Sequence, residues 1–350
     1  MWSNADRIRA KAQRRSKRIV RLLVSTRELW KARIRVIAKS REVSVVKIAP
    51  GLQDAKHVVV MVVHNEALRI PYMLEYYKTM GFEHFLILDN RSDDDLQNIL
   101  SGKSGISIFM ANGSYRFSRF GVDWVNGVLS KYCSQKWILY VDADEFFVFP
   151  HCDTKSISDL TDFMENNNQK SMQCLMLDMY SDKKVQYNIC GVGEDPLSVC
   201  RFYDRDGYVK KYDRLNQAVW IKGGVRGRIF FSNNVWEGPA LNKTPLVFWQ
   251  RHYAFLRSTH LLWPPRLNGG NVTRRKIRGA LLHFKFLADW TTKISSESLR
   301  QQHTDEYNAY SAAATSMDDG LDFIGPATVE YRSWRSLEQD GLLDGKAWPI

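Results

Sequence analysis

Three short apolar runs, each ending on polar or acidic residues, constrain this chain more than any other feature of its sequence. The first is HVVVMVV, from His57 to Val63, followed by His64-Asn65-Glu66. The second is FEHFLIL, from Phe82 to Leu88, which meets Asp89. The third is WILYV, from Trp137 to Val141, which runs into Asp142-Ala143-Asp144-Glu145. None alternates strictly between apolar and polar residues, as a half-exposed strand would. They therefore read as central strands of a parallel sheet, buried on both faces. Helical segments are predicted between them: Pro71 to Tyr77 with proline in its first turn, a segment from Leu96, and Gly121 to Tyr132. A further short strand is predicted from Ile106 to Met110. Strands alternating with helices predict an α/β fold with a mainly parallel sheet. Ligands bind such sheets beyond the carboxyl ends of the strands. His64, Glu66, Asp89 and Asp142 all stand there.

Beyond Pro150 the pattern weakens, with strands expected around Leu175 to Met179 and Leu246 to Trp249 and a helix near Lys293 to Tyr310. The division expected is a basic helical arm over 1–50, a catalytic domain over 56–290 with its halves meeting near 150, and a C-terminal helical extension over 291–350. A chain of 350 residues can bury a core of that size.

The net charge of +12 belongs to the arm. Residues 1–47 carry 15 Lys and Arg against Asp6, Glu28 and Glu42, and the other 35 basic and 35 acidic side chains cancel. A neutral body without a recognisable binding module argues against a nucleic-acid partner. From Ile8 to Ile37 there is no Gly or Pro, and Ile19, Leu22, Leu23, Trp30, Ile34 and Ile37 fall near one helical stripe among the basic residues. Two accounts fit: a helix lying on an anionic membrane, or one packed on the body with its charges solvated. No apolar stretch approaches the ~18 residues of a membrane span. The five cysteines are odd in number and without C-x-x-C spacing, so a reducing cytoplasm is expected, with peripheral attachment to the inner face of the membrane if the arm binds lipid.

The densest chemical signal is VDADEFFVF, residues 141–149. Two carboxylates one residue apart at the end of an apolar strand would be costly to bury without compensation. Mg²⁺ or Mn²⁺, which take oxygen ligands and substrate phosphates, would supply it. The bland alternative is a strand-end turn with solvated acids.

In this order, VVVMVVHNEALRIPYMLEYYKTMGFEHFLILDNRSDDD and, some fifty residues later, WILYVDADEF resemble the family 2 glycosyltransferases. The likeness is to the subgroup with an H-N-E opening, which is also similar to family 92. GGVRGRIF (223–230), LNKTPLVFW (241–249), STHLLWPP (258–265) and GALLHFKFL (279–287) look like later blocks of it. The resemblance implies a GT-A fold, a nucleotide-diphosphate sugar as donor, Mn²⁺ or Mg²⁺, and a saccharide or lipid-linked envelope acceptor. It places His64 and Glu66 by the nucleoside, Asp89, with Arg91 beside it, at the base or ribose, and Asp142 and Asp144 on the metal. His283 would sit beside the metal or diphosphate, or be a core histidine of an alternating strand. Arg226 could clamp phosphate or an acidic acceptor after a Gly-Gly turn. The family's E-D base motif is not found. Glu145, Glu237 and His260 are the candidates for the general base, with Glu145 alternatively supporting the acid pair.

Two other functions share this architecture: a nucleotidyltransferase and an inactive nucleotide-sugar-binding module. A Gly-rich phosphate loop after the first strand would favour the former, but HNEALRIP has no Gly; both D-x-D carboxylates are present, which counts against the latter. Asp93-Asp94-Asp95 is expected to cap the helix that follows rather than to hold metal.

Overall fold

The computed structural model describes residues 24, 26–269, 276–290, 310 and 321–348. The first described helix, α1 (26–39), leads into the strand β1 (Val43–Lys47). The next elements are β2 (His57–Val63), α2 (Ile70–Thr79), β3 (His84–Asp89), α3 (Leu96–Leu100), β4 (Ile106–Ala111), α4 (Val122–Tyr132) and β5 (Trp137–Tyr140). Then follow β6 (Glu145–Val148), α5 (Ile157–Asn166), β7 (Ser171–Asp178), β8 (Phe202–Asp204), β9 (Tyr208–Asp213) and β10 (Ala218–Gly223). The last are α6 (Gly224–Phe230), β11 (Asn242–Phe248), β12 (Ala254–Arg257), β13 (Leu261–Trp263), β14 (Gly279–His283), β15 (Thr328–Glu330) and α7 (Trp334–Gln339). The predicted helix near Lys293 lies, except for Tyr310, outside the described residues.

Nine strands form one sheet in the order β1-β4-β3-β2-β5-β11-β7-β14-β6. β4, β3, β2 and β5 run parallel, as the doubly apolar runs require. β11 lies antiparallel between β5 and β7, which restores the first direction in β7 and β14. The two outer strands, β1 and β6, are antiparallel to their neighbours. The fold is thus α/β with a mixed, mostly parallel sheet.

Apolar side chains cover both faces of the sheet. One layer joins Val59 and Met61 of β2 to Met73 and Tyr77 of α2 and to Leu160 of α5. The other joins Val58 and Val60 to Trp124, Val125 and Leu129 of α4. Alternate residues of β2 thus feed opposite layers, as the period of two demands. β3 starts at His84 rather than Phe82, because Phe82 leaves the ladder to pack under α2 against Tyr77.

Among the described residues, α1 meets the body through one apolar face. Leu29 and Ala32 pack with Ala218, Ala254, Leu256 and Leu261. Arg35 donates to Asp123 at 2.9 Å, a carboxylate it shares with Arg119. Trp30, Ile34 and Ile37, one stripe in the sequence, point away from the body and are 66%, 63% and 73% exposed. Among the described residues no helix is long and apolar enough to cross a membrane.

Burial of His57 at the start of β2 has a measurable consequence. Its Nε2 pairs with the Thr161 hydroxyl at 2.8 Å, and burial, helped by Lys56, lowers its pKa from 6.5 to about 4. The unfolded chain therefore takes up a proton near pH 6.5 that the folded chain resists. His57 leaves stability unaffected above that pH and lowers it as pH falls from 6.5 towards 4, by roughly 3 kcal/mol at most. In urea titrations across this range His57→Gln should lose stability less steeply than the wild-type chain as pH falls.

Candidate active site

The parallel strands bring their carboxyl ends to one edge of the sheet. Across that edge stand Asp89 at the end of β3, His64 and Glu66 after β2, Asp142 and Asp144 after β5, Asp178 at the end of β7 and His283 at the end of β14. β11 runs the other way, so its first residues, Asn242 and Lys243, reach the same edge. Its ladder breaks between Lys243 and Leu246, where Pro245 has no N–H to donate.

The acid motif is a self-closed turn. The Glu145 N–H donates to the Asp142 carbonyl, and the Glu145 carboxylate accepts the Asp142 N–H, both at 3.1 Å. Glu145 is fully buried, and its backbone carbonyl accepts the Tyr77 hydroxyl at 2.8 Å. Its other carboxylate oxygen binds the ammonium of Lys243, which also donates to Asp142 at 2.9 Å. Burial pushes the Glu145 carboxyl up and Lys243 opposes it. Burial likewise disfavours charge on Lys243, but Asp142 and Glu145 outweigh it and keep the ammonium protonated.

Asp144 is held by a histidine. His283 Nε2 lies 3.3 Å from its carboxylate, while Nδ1 lies 2.6 Å from Asp178, which also accepts from Arg226 at 2.7 Å. Strand register makes this possible, because His283 pairs with Asp178 of β7 on one side and Glu145 of β6 on the other. Burial works against charge on His283 and on both acids, yet the pairing wins: the histidine is shifted up and Asp144 and Asp178 down. Each D-x-D carboxylate thus has one oxygen tied to a buried basic side chain. The other oxygen carries no hydrogen bond among the described residues, and the side chains are 42% and 26% exposed.

The remaining predicted residues fall in three places. His64 donates through Nδ1 to the Asn90 carbonyl at 3.0 Å, and Asp89 accepts the Ser92 N–H at 2.8 Å. This loop is laced to the next: Asp93 N–H reaches the Asn65 side chain, and Asp94 accepts from Ala67 N–H and Leu96 N–H. Asp93 and Asp94 therefore tie two loops together, and only Asp94 meets the start of α3. Asp95, at its N-cap, bonds the Asn98 side chain instead. Glu66 pairs with Arg69 at 3.1 Å, and Arg69 forks onto Asp289 at 2.7 and 2.8 Å. Arg91 is exposed with φ 59°, beside Asp89 in sequence but outside the acid network. Arg226 is not in a Gly-Gly turn at the surface; it is buried on α6 against Asp178. Glu237 is exposed and bonded to Asn234, apart from the acid turn.

Sequence reasoning missed Lys243, Asp178 and the Arg69–Asp289 fork. Asp178 carried the same signal as Asp89, an acid ending an apolar strand. Lys243 carried only a weaker one, a lone cation opening the strand NKTPLVF. Removing Lys243 leaves Glu145 buried beside Asp142 without its counter-ion. Lys243→Met should cost roughly 3–5 kcal/mol in urea unfolding, and adding Glu145→Gln should recover part of it.

No protein-family model matches this chain, and no curated protein matches it. Solved structures resemble it distantly. TarS 1-349 from S. aureus is 18% identical over 36% of this chain and 36% of its own, with a TM-score of 0.26. A glucosyl-3-phosphoglycerate synthase from Mycobacterium tuberculosis, in complex with Mn²⁺, uridine diphosphate and phosphoglyceric acid, is 16% identical over 39% of this chain and 48% of its own, with a TM-score of 0.22. HddC from Yersinia pseudotuberculosis is 11% identical over 68% of this chain and 97% of its own, with a TM-score of 0.31. This chain thus spans about a third of the TarS structure and about half of the synthase. Likenesses this distant carry neither an activity nor a ligand across.

Proposed function

We propose that this chain is a glycosyltransferase of the GT-A kind, moving a sugar from a nucleotide-diphosphate sugar to a saccharide or lipid-linked envelope acceptor. One observation carries the proposal. At the carboxyl edge of a mostly parallel sheet, two aspartates one residue apart each have one oxygen fixed by a buried basic side chain and another left open. The order of the sequence motifs supports the same reading.

Among the described residues no group of three or more His, Cys, Asp or Glu forms a ready-made metal site. The open oxygens of Asp142 and Asp144 still suit a hard divalent ion that keeps waters and takes substrate phosphates. Asp142 and Asp144 would hold Mn²⁺ or Mg²⁺. His283 would join them only by giving up its contact with Asp144. Bound there, the ion would stabilise negative charge on a departing nucleoside diphosphate. Lys243 and His283 orient the two carboxylates. The neighbouring loops, with His64, Glu66, Asp89 and Arg91, would form the nucleoside side, and Glu145 supports the turn from beneath.

Asp142→Asn and Asp144→Asn should keep the fold and lose transfer by about a hundredfold or more. Nucleotide release from a panel of nucleotide sugars with Mn²⁺, with and without EDTA, measures this. Near-normal release from both variants, or indifference to EDTA, would rule the metal role out.

The arm is the membrane contact in this proposal. Its inner face is used on the body, and Trp30, Ile34 and Ile37 face outward among the exposed cations Arg27, Lys31, Arg33 and Arg41. Burying such a stripe in the interface, with about 1 kcal/mol per cation near anionic lipid, would hold the enzyme beside a lipid-linked acceptor. Truncation near Pro50 is a poor test, because it removes β1 and the Arg35–Asp123 contact. Replacing Trp30, Ile34 and Ile37 together by Glu should leave melting unchanged and abolish binding to anionic vesicles. Wild-type binding should weaken with salt, since exposed charges are screened over ~8 Å at physiological ionic strength. Equal vesicle binding by the triple variant would disprove the membrane role.

A further inference from the structure

A cavity of about 280 Å³ lies on the sheet beside the acid turn. That is near the lower bound of small-molecule pockets, roughly 300 Å³, and suits a sugar unit. Asn242 and Lys243 of β11, His260 ahead of β13, Arg278 ahead of β14, and Arg205 and Lys210 around the start of β9 all line it. Lys243 is the shared wall, since its ammonium binds Asp142 and Glu145 on its other side.

His260 has a defined tautomer. Its Nδ1–H donates to the Asn242 carbonyl at 2.6 Å, so Nε2 keeps its lone pair. Among the described residues nothing hydrogen-bonds to that nitrogen. Burial first, and Lys243 next, push the ring's pKa down to about 4, so it is neutral near pH 7. A neutral imidazole with an unused lone pair in a cavity is suited to accept a hydroxyl proton.

Asp206 and Asp340 line the cavity too, and apart from Lys243 its cations are weakly engaged. Lys210 has no ion pair among the described residues. Arg205 is 4.0 Å from Asp206, with both side chains exposed, and Arg278 is 3.5 Å from Asp344 with its buried Nε unbonded. Such loose pairs contribute little to stability, and guanidinium groups match phosphate and carboxylate oxygens.

Building on the transferase reading, we infer that this cavity is the acceptor subsite and that the acceptor is a saccharide carrying an anionic group, phosphate or carboxylate. Arg205, Lys210 and Arg278 take the anion, and His260 Nε2 faces the reacting hydroxyl. As that oxygen bonds to the donor's anomeric carbon, the bond from that carbon to the diphosphate breaks. The diphosphate leaves with the electron pair, and the hydroxyl proton passes to His260.

Glucose 6-phosphate, glucuronate and glucose are the probes, titrated into the full chain by calorimetry and by NMR of labelled histidine, with the His260 signal identified from His260→Gln. The two anionic sugars should bind and shift the His260 signal, and glucose should do so much more weakly. Their relative affinities distinguish a phosphate from a carboxylate acceptor. Lys210→Glu and Arg205→Glu, both at exposed positions, should each weaken the anionic sugars about tenfold and leave nucleoside diphosphate binding with Mn²⁺ unchanged. If neither anionic sugar moves the His260 signal, or the charge reversals change nothing, the subsite is wrong while the donor reading stands. If no nucleoside diphosphate binds the wild-type chain, the transferase reading fails and the acceptor role falls with it.

Discussion

The ammonium of Lys243 sits between two carboxylates, one fully buried and one half-exposed, and the site is arranged around it. Taking a charge out of water costs several kcal/mol, which only well-placed opposite charges offset. Burial pushes the Glu145 carboxyl up and Lys243 opposes it, while Asp142 and Glu145 keep the Lys243 ammonium protonated. Together they fix the exit of β5 against the start of β11. The antiparallel insertion of β11 is what delivers the cation, since a parallel strand there would have brought its carboxyl end to that edge instead of its first residues.

His283 repeats the device one step further along the sheet. It lies between Asp144 and Asp178, and Arg226 backs Asp178 from α6. The two anchors hold acids one residue apart through β11 and β14, strands that β7 separates in the sheet. A pair of carboxylates held this way has little freedom left to lose, which is the basis of preorganised sites. Lys243 both lines the cavity and holds the acid pair.

Much of the sheet could be read directly from the chain. A run such as HVVVMVV can be stable only when covered on both faces, and β2, β3 and β5 are buried as that demands. Asp89, Asp142 and Asp144 were legible for the same reason, because an acid that ends an apolar strand marks the sheet edge. Arg226 misled because Gly223-Gly224 resembles a surface turn; the structure uses those glycines to start a helix whose arginine points inward. In the arm, the apolar stripe was legible but its direction was not. Helical periodicity shows that a face exists, and only packing selects which face meets the body. Leu29 and Ala32 do so, while Trp30, Ile34 and Ile37 do not.

The sequence by itself determined the parallel core, the edge on which its polar residues collect and the confinement of net charge to the arm. Each of these follows from local composition and from strand or helix period. Tertiary structure alone decided which cation meets which acid. Lys243 lies about a hundred residues from Asp142 and Glu145, and His283 lies 105 from Asp178. No local pattern encodes such pairs. They arise from strand order and register, and the low dielectric of the interior makes these few long-range contacts strong.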